Sequence, residues 1–258
     1  MLLIDTIRAA WPNLEWTNVV IAFVTIAVTY TIFAMMGFGS ALIAAPVLAL
    51  RMPLTSVVPL LSLLDVTAAL VNIGRLGGKV DKREILRLVP LMALGSATGI
   101  FLLLNASPRL MLLGLGLFVI SYSLYRLFFY LNPHHLSTYW VFPFGLIGGL
   151  FSGMFGSGGF IFSIYLSHRS NDKDVIRATM TAMTGLSTAI RVGIFTVIGV
   201  FSDLHLLLLA LLCVPALLVG LYCGHHITSR LSHELFLRIL CGMLFCTGSL
   251  LIWRSLHV

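Results

Sequence analysis

The sequence predicts an all-α polytopic membrane protein made of two repeats in inverted topology. About ten helical segments are expected, eight long spans plus two short or re-entrant helices. Three observations predict this. Apolar residues make up 59% of the chain and charged residues only 10%, with a mean hydropathy of +1.04, whereas a soluble domain carries about 25% charged residues. Apolar runs close to the roughly 20 residues that cross a bilayer as a helix recur along the whole chain. Two glycine-rich clusters, one in each half, interrupt segments that would otherwise be single long helices.

In chain order, the first element is the segment 17–50, whose opening run is 19–34 and which is broken at 37–40 and carries Pro46. It is too long for one span and short for two, so a helix followed by a shorter one, folded back at the glycines, is expected. Runs 54–73, 85–104 and 110–131 follow as single spans. Segment 138–168, broken at 153–159, repeats the opening arrangement, and runs 180–201, 204–222 and 235–252 complete the chain. None of these runs alternates with period two, which excludes barrel strands and leaves helices to satisfy the backbone in lipid.

The two halves match in order. Met36-Gly37-Phe38-Gly39-Ser40 is echoed by Phe155-Gly156-Ser157-Gly158-Gly159, and at the same offset Val71-Asn72-Ile73-Gly74 by Ile190-Arg191-Val192-Gly193. The stretch 78–81 resembles 199–203, and Val89-Pro90 with Gly95 and Gly99 matches Val214-Pro215 with Gly220 and Gly224. Several matches in sequence point to duplication, with a first transmembrane repeat at 1–131 and a second at 132–258. Paired, glycine-interrupted segments in corresponding positions of two halves are a pointer to a transporter's binding site.

Charge decides the number of crossings. With one crossing per interrupted segment the Lys and Arg divide almost evenly. With a hairpin at each, one side holds Arg75, Lys79, Lys82, Arg83, Arg87, Arg126, Arg169, Lys173, Arg177, Arg230 and Arg238, and the other only Arg8, Arg51, Arg109 and Arg254. The hairpin arrangement follows. Five crossings per half then invert the second half relative to the first and put both termini outside. The arms 41–50 and 160–166 extend only about 10–15 Å as helices, so they are short crossings or re-entrant.

Several function classes fall away. The net charge of +7 sits in short connectors, where it sets orientation and touches anionic lipid rather than nucleic acid. Residues 1–15 include Asp5, Arg8 and Glu15 and lack the pattern of a cleaved signal peptide, so the first span is expected to be retained. Cys213, Cys223, Cys241 and Cys246 lie in late apolar runs without CxxC spacing and read as packing residues. The adjacent pairs His134-His135 and His225-His226 diverge around a helix, so no metal site is expected. There is no P-loop and no nucleophile elbow, and no cofactor or enzymatic activity is expected.

The glycine clusters carry the strongest local signal. Helices starting near Gly39-Ser40 and Ser157-Gly158-Gly159 would aim unsatisfied N–H groups and the positive end of the helix dipole at mid-membrane, a plausible anion site. The alternative is that the glycines only allow close packing. Arg191 lies deep in an apolar run, where an arginine costs at least ~2.5 kcal/mol and turns toward a cavity or a partner. Its planar fork suits oxyanions; the alternative pairs it with Asp65 or has it cap carbonyls exposed at a break. Its first-half counterpart is Asn72. Asp65, the one acid deep in a span, is the candidate for proton coupling, with a structural bond as the alternative. Ser62 and Thr67 in one half, and Thr181, Thr184 and Ser187 in the other, are candidate neutral donors, although most such hydroxyls bond back to their own helix.

These residues resemble the TauE/SafE sulfite exporter family, also known as TSUP permeases or DUF81. The resemblance rests on Gly37-Phe38-Gly39-Ser40 followed by Pro46, on Gly156-Ser157-Gly158-Gly159, on the connector Gly78-Lys79-Val80-Asp81, and on the duplicated layout across nearly the whole chain. It implies transport of sulfite, thiosulfate or an organosulfonate such as sulfoacetate across the bacterial cytoplasmic membrane. The chain departs from the pattern at Ile164-Tyr165, where many members carry a second proline.

The reading is therefore a secondary transporter of a small anion, ion-coupled or uniporting, working by alternating access. Arg191 with Gly39, Ser40, Ser157, Gly158, Gly159, Asn72, Ser62, Thr181 and Thr184 would line the substrate site, and Asp65 would couple protons. An anion channel using the same residues is the alternative. The partners expected are the anion, protons and the lipid bilayer, with no nucleic acid, no metal, and homo-oligomerisation left open.

Overall fold

The computed structural model describes residues 16–36, 39–73, 80–128, 137–169, 172–227 and 233–256. Ten helices are found among them: α1 (Trp16–Met36), α2 (Ser40–Ala49), α3 (Leu54–Ile73), α4 (Lys82–Asn105), α5 (Pro108–Phe128), α6 (Val141–Phe155), α7 (Gly159–Ser167), α8 (Lys173–Ile198), α9 (Leu204–Ile227) and α10 (His233–Ser255). No strand occurs among the described residues. Six helices, α3, α4, α5, α6, α8 and α9, are long and apolar enough to cross a bilayer by length and composition. Large apolar side chains such as Leu86, Phe101, Val197 and Leu211 stand exposed on the outer surface, which suits a hydrocarbon solvent and not water. Gly37, Gly78, Lys79, His134 and His135, together with the first fifteen residues, lie outside the described residues.

Both interrupted segments are broken helices. Gly39 caps the start of α2 at φ 96° and Gly156 ends α6 at φ 73°, left-handed conformations that a residue with a Cβ adopts only with strain. The short arms α2 and α7 have 10 and 9 residues, roughly 14 Å of helix each. The second break is narrower than the sequence suggested. Gly153 is helical within α6, because its missing side chain lets the Ser96 carbonyl of α4 close on it.

That contact belongs to a long backbone-to-backbone crossing. Gly95 and Gly99 of α4 face the main chain of Leu146 and Leu150, while Gly149 of α6 faces Met92. The Ser96 hydroxyl donates to the Gly149 carbonyl at 3.2 Å. A second crossing of the same kind joins α9 to α1, where Gly220 and Gly224 lie on the carbonyls of Ala27 and Thr31. Without a hydrophobic drive between helices in lipid, close approach of small residues is what holds such pairs. A third pair, α5 and α10, meets at Gly116 and Gly248, and Ser123 donates to the Cys241 carbonyl at 2.8 Å.

The short arms run to opposite ends of the bundle. The end of α2 sits beside Leu103 and Ala106 at the C-terminal end of α4. The end of α7 is tied to the N-terminal end of the same helix, where Asp81 caps α4 by accepting from the backbone N–H groups of Arg83 and Glu84 at 3.0 and 3.2 Å. The Glu84 carboxylate receives the Tyr165 hydroxyl at 2.6 Å and the Arg169 guanidinium at 2.7 and 3.2 Å, with Arg87 at 3.1 Å. Hydrogen bonding to Glu84 pushes the Arg169 pKa higher still, so this guanidinium stays charged. Two apolar cores result. One gathers α1, α2, α3, α5, α9 and α10 with Ile100 and Leu103 of α4, Phe155 of α6 and Phe195 of α8, and the other the remaining inner surfaces of α4, α6, α7 and α8.

Candidate functional site: a buried arginine between two helix breaks

Where the two cores adjoin, midway along α3, Asp65 is buried and accepts three hydrogen bonds. Tyr30 of α1 and Ser40, the first residue of α2, both donate to Oδ1, at 2.8 and 2.6 Å. Arg191 of α8 approaches Oδ2 at 3.3 Å. Each donor comes from a different helix, so the carboxylate fastens the tip of the first hairpin to α1, α3 and α8 at once.

Arg191 is the largest fully buried side chain among the described residues, with 1% of its surface exposed. Nη2 also donates to the Thr188 hydroxyl one turn earlier, at 3.0 Å, and Nη1 reaches the Ser152 carbonyl of α6 at a long 3.4 Å. Its Nε is buried and has no partner. An unsatisfied buried donor on a charged group costs roughly 1–3 kcal/mol or more, so this guanidinium retains unused binding capacity. The Ser152 and Ser187 hydroxyls bond to each other at 2.6 Å beside it.

The second hairpin meets the first here. Gly156 lies against Arg191 and against Ala41 in the first turn of α2. No side chain caps the start of either α2 or α7. Rings hold the second break in place: Phe118 of α5 stacks on Phe151 at 4.3 Å, and Tyr122 meets Phe160 edge-on at 4.1 Å.

The remaining candidates divide. Thr184 stands two turns before Arg191 on the same stripe as Thr188, and its buried hydroxyl has no partner. Ser62 and Thr67 donate to the carbonyls of Val58 and Leu63 on their own helix. Ser157 is buried and donates to the Phe155 carbonyl at 3.2 Å. Gly158 packs on the Gly148 carbonyl of α6, and Gly159 opens α7. Thr181 lies about 15 Å from Arg191 along α8. The side chain of Asn72 lies outside the described residues. Sequence reasoning missed Tyr30, Thr188 and Ser152. Thr188 was findable, being three residues before Arg191 on one helix face, whereas nothing local ties Tyr30 to Asp65.

A buried guanidinium, paired with a carboxylate through one nitrogen and with its Nε unpartnered, thus stands where the two broken helices meet. The model of the sulfite exporter TauE/SafE family matches residues 21–251. The chain belongs to the TauE/SafE family. That match takes in both breaks, Asp65 and Arg191. No curated protein and no solved structure gives a significant match. As a TauE/SafE member with several span-capable helices, the protein is a multi-pass membrane protein of a transporter family.

Proposed function

We propose that this protein is a secondary transporter of a small oxyanion, in which Arg191 exchanges between Asp65 and the transported anion. The substrates that fit best are sulfite, thiosulfate or a small organosulfonate such as sulfoacetate. The observation that carries this reading is the Arg191 guanidinium, buried and paired with Asp65 through one nitrogen while Nε has no partner.

In the resting pair the two charges cancel. An anion entering at the helix breaks competes with Asp65 for the guanidinium, and its arrival leaves an uncompensated carboxylate unless a proton is taken up. Protonating Asp65 while the anion binds Arg191 keeps the site neutral, so one negative charge and one proton travel together. Tyr30 and Ser40 hold Asp65 Oδ1, which makes Arg191 the partner free to move. Alternating access follows if the halves rock about this point as inverted repeats. Two facts support that symmetry: α1 packs on α9 as α6 packs on α4, and the short arms run to opposite ends of the bundle. The charge division supports an orientation with both termini outside, and the family supports a bacterial cytoplasmic membrane as the location.

The test is a thermal-shift titration of purified protein with sulfite, sulfate, thiosulfate, sulfoacetate and simple carboxylates at two pH values. An oxyanion should stabilise the native chain, more so at the lower pH. The Asp65→Asn/Arg191→Gln double variant, which leaves no lone buried charge, should fold and show no stabilisation. Equal stabilisation of the double variant and the native chain would overturn the reading.

A further inference from the structure

At the end of the bundle where α2 stops, the structure holds a cavity of about 240 Å³. It lies roughly 15 Å from Asp65, measured along α2 and α3. Its walls are Leu54, Leu103, Met111 and Leu112, all buried. Two arginines, Arg51 and Arg254, complete it, and among the described residues no carboxylate lines it. Arg254 uses Nη1 on the Ala49 carbonyl at 2.9 Å, which fixes it at the end of α2 and leaves its other N–H groups without an acceptor among the described residues. Arg51 is exposed, and its guanidinium has no acceptor among the described residues. The contrast with α7 is informative. Arg169, just past the end of that arm, is closed by the Glu84 carboxylate, whereas the arginines at the end of α2 meet no acid among the described residues.

We propose that this cavity is a second anion site, separate from Arg191, that takes an oxyanion head joined to a short apolar chain. The head, a sulfonate, carboxylate or phosphate, is held by Arg51 and Arg254, whose forks suit paired oxygens. The chain lies on Leu103, Met111 and Leu112, so an inorganic anion gains less there than an organic one. The volume falls below the roughly 300–1,000 Å³ of drug-sized pockets, which fits a small head and a few carbons. Such a head can come from a soluble organic anion or from an anionic phospholipid at the membrane surface.

Thr55 is exposed at the rim and reports on the cavity. A Thr55→Cys variant in phosphatidylcholine nanodiscs is labelled with anionic sulfonatoethyl methanethiosulfonate and with its neutral methyl analogue, beside the parent chain to subtract native cysteines. The anionic reagent should react several-fold faster than the neutral one. Butanesulfonate should protect saturably, and sulfate more weakly. Adding Arg51→Gln should remove both the preference and the protection, and adding the Asp65→Asn/Arg191→Gln pair should leave both intact. Suppression by phosphatidylglycerol in the discs, with none by butanesulfonate, identifies the lipid as the source of the head. A reagent preference untouched by Arg51→Gln, with protection by neither ligand, would overturn the site. So would loss of protection in the Asp65/Arg191 variant, because it would assign the effect to the central pair.

Discussion

Gly156 and Arg191 touch across α6 and α8 with no room for a side chain between them. A Cβ on Gly156 would stand 2.7 Å from Arg191 Nη1 and equally close to the Ala41 Cβ. The same glycine holds φ at 73°. Backbone and contact therefore demand glycine independently, at the point where the two hairpin tips and the guanidinium meet.

Gly156→Ala should accordingly cost about 1–3 kcal/mol of stability from the strained backbone alone. It should also displace Arg191 from its place between Asp65 and Ser152. Thermal unfolding of the purified variant should show a lower midpoint, and oxyanion stabilisation should fall further than the midpoint alone explains. A variant that is less stable yet binds anion normally would separate the glycine from the site.

Asp65 gives the pH dependence its sign. In the exchange mechanism the anion binds when Asp65 is protonated, so affinity in the native chain rises as pH falls. Asp65→Asn, which keeps an acceptor for Tyr30 and Ser40 but carries no charge, should bind anion with little pH dependence. Either single variant strands a buried arginine and should lose about 3–5 kcal/mol, with Asp65→Ala the less stable because it also removes the acceptor of Tyr30 and Ser40. Anion titrations of the Asn variant across pH check the first claim, and unfolding of both variants checks the second.

The latch at Glu84 should behave as a coupled unit. Glu84→Gln and Arg169→Gln each remove a charge-assisted bond, and Glu84→Gln also weakens the acceptor of Tyr165. A double-mutant cycle on the unfolding midpoints should give a coupling of about 0.5–3 kcal/mol. Strict additivity would mean that the latch contributes nothing beyond its separate parts.

The glycine crossings separate tight from open positions. Gly149→Val pushes a side chain into the Met92 main chain and should cost about 1–3 kcal/mol through overpacking. Gly193 lies in α8 with nothing within 4 Å of a Cβ, so Gly193→Ala should be neutral or stabilise by about 0.5–1 kcal/mol. Parallel unfolding of the two variants tests whether contact, rather than glycine content, sets the tolerance.

Much of this architecture was legible because lipid leaves few options. Length and hydropathy located the long helices, six of which qualify as spans by length and composition, and glycines with left-handed backbones marked both breaks. Gly153 was misjudged as part of the break because a glycine that opens a helix and one that admits a neighbour are the same letter. At the site, the depth of Arg191 and Asp65 in apolar runs singled both out, and their pairing was one of the readings that depth allowed. Tyr30 and Ser152 were not legible, since their roles arise only when α1 and α6 are brought against α3 and α8. Tyr165 is a similar case. Its meaning appears only once Glu84 is found 2.6 Å away.

The crossing of α1 with α9 bears on how the chain is made. Helix α1 closes on carbonyl-facing glycines, Gly220 and Gly224, that are synthesised almost 190 residues after it. Until then that crossing is unmade, and α4 likewise waits for α6. Neither half can be completed in the bilayer without the other, so a polypeptide truncated after its first five helices would leave both α1 and α4 orphaned. Translation order and assembly order are thus out of step in this protein, and quality control will meet nascent chains whose earlier helices await partners made much later.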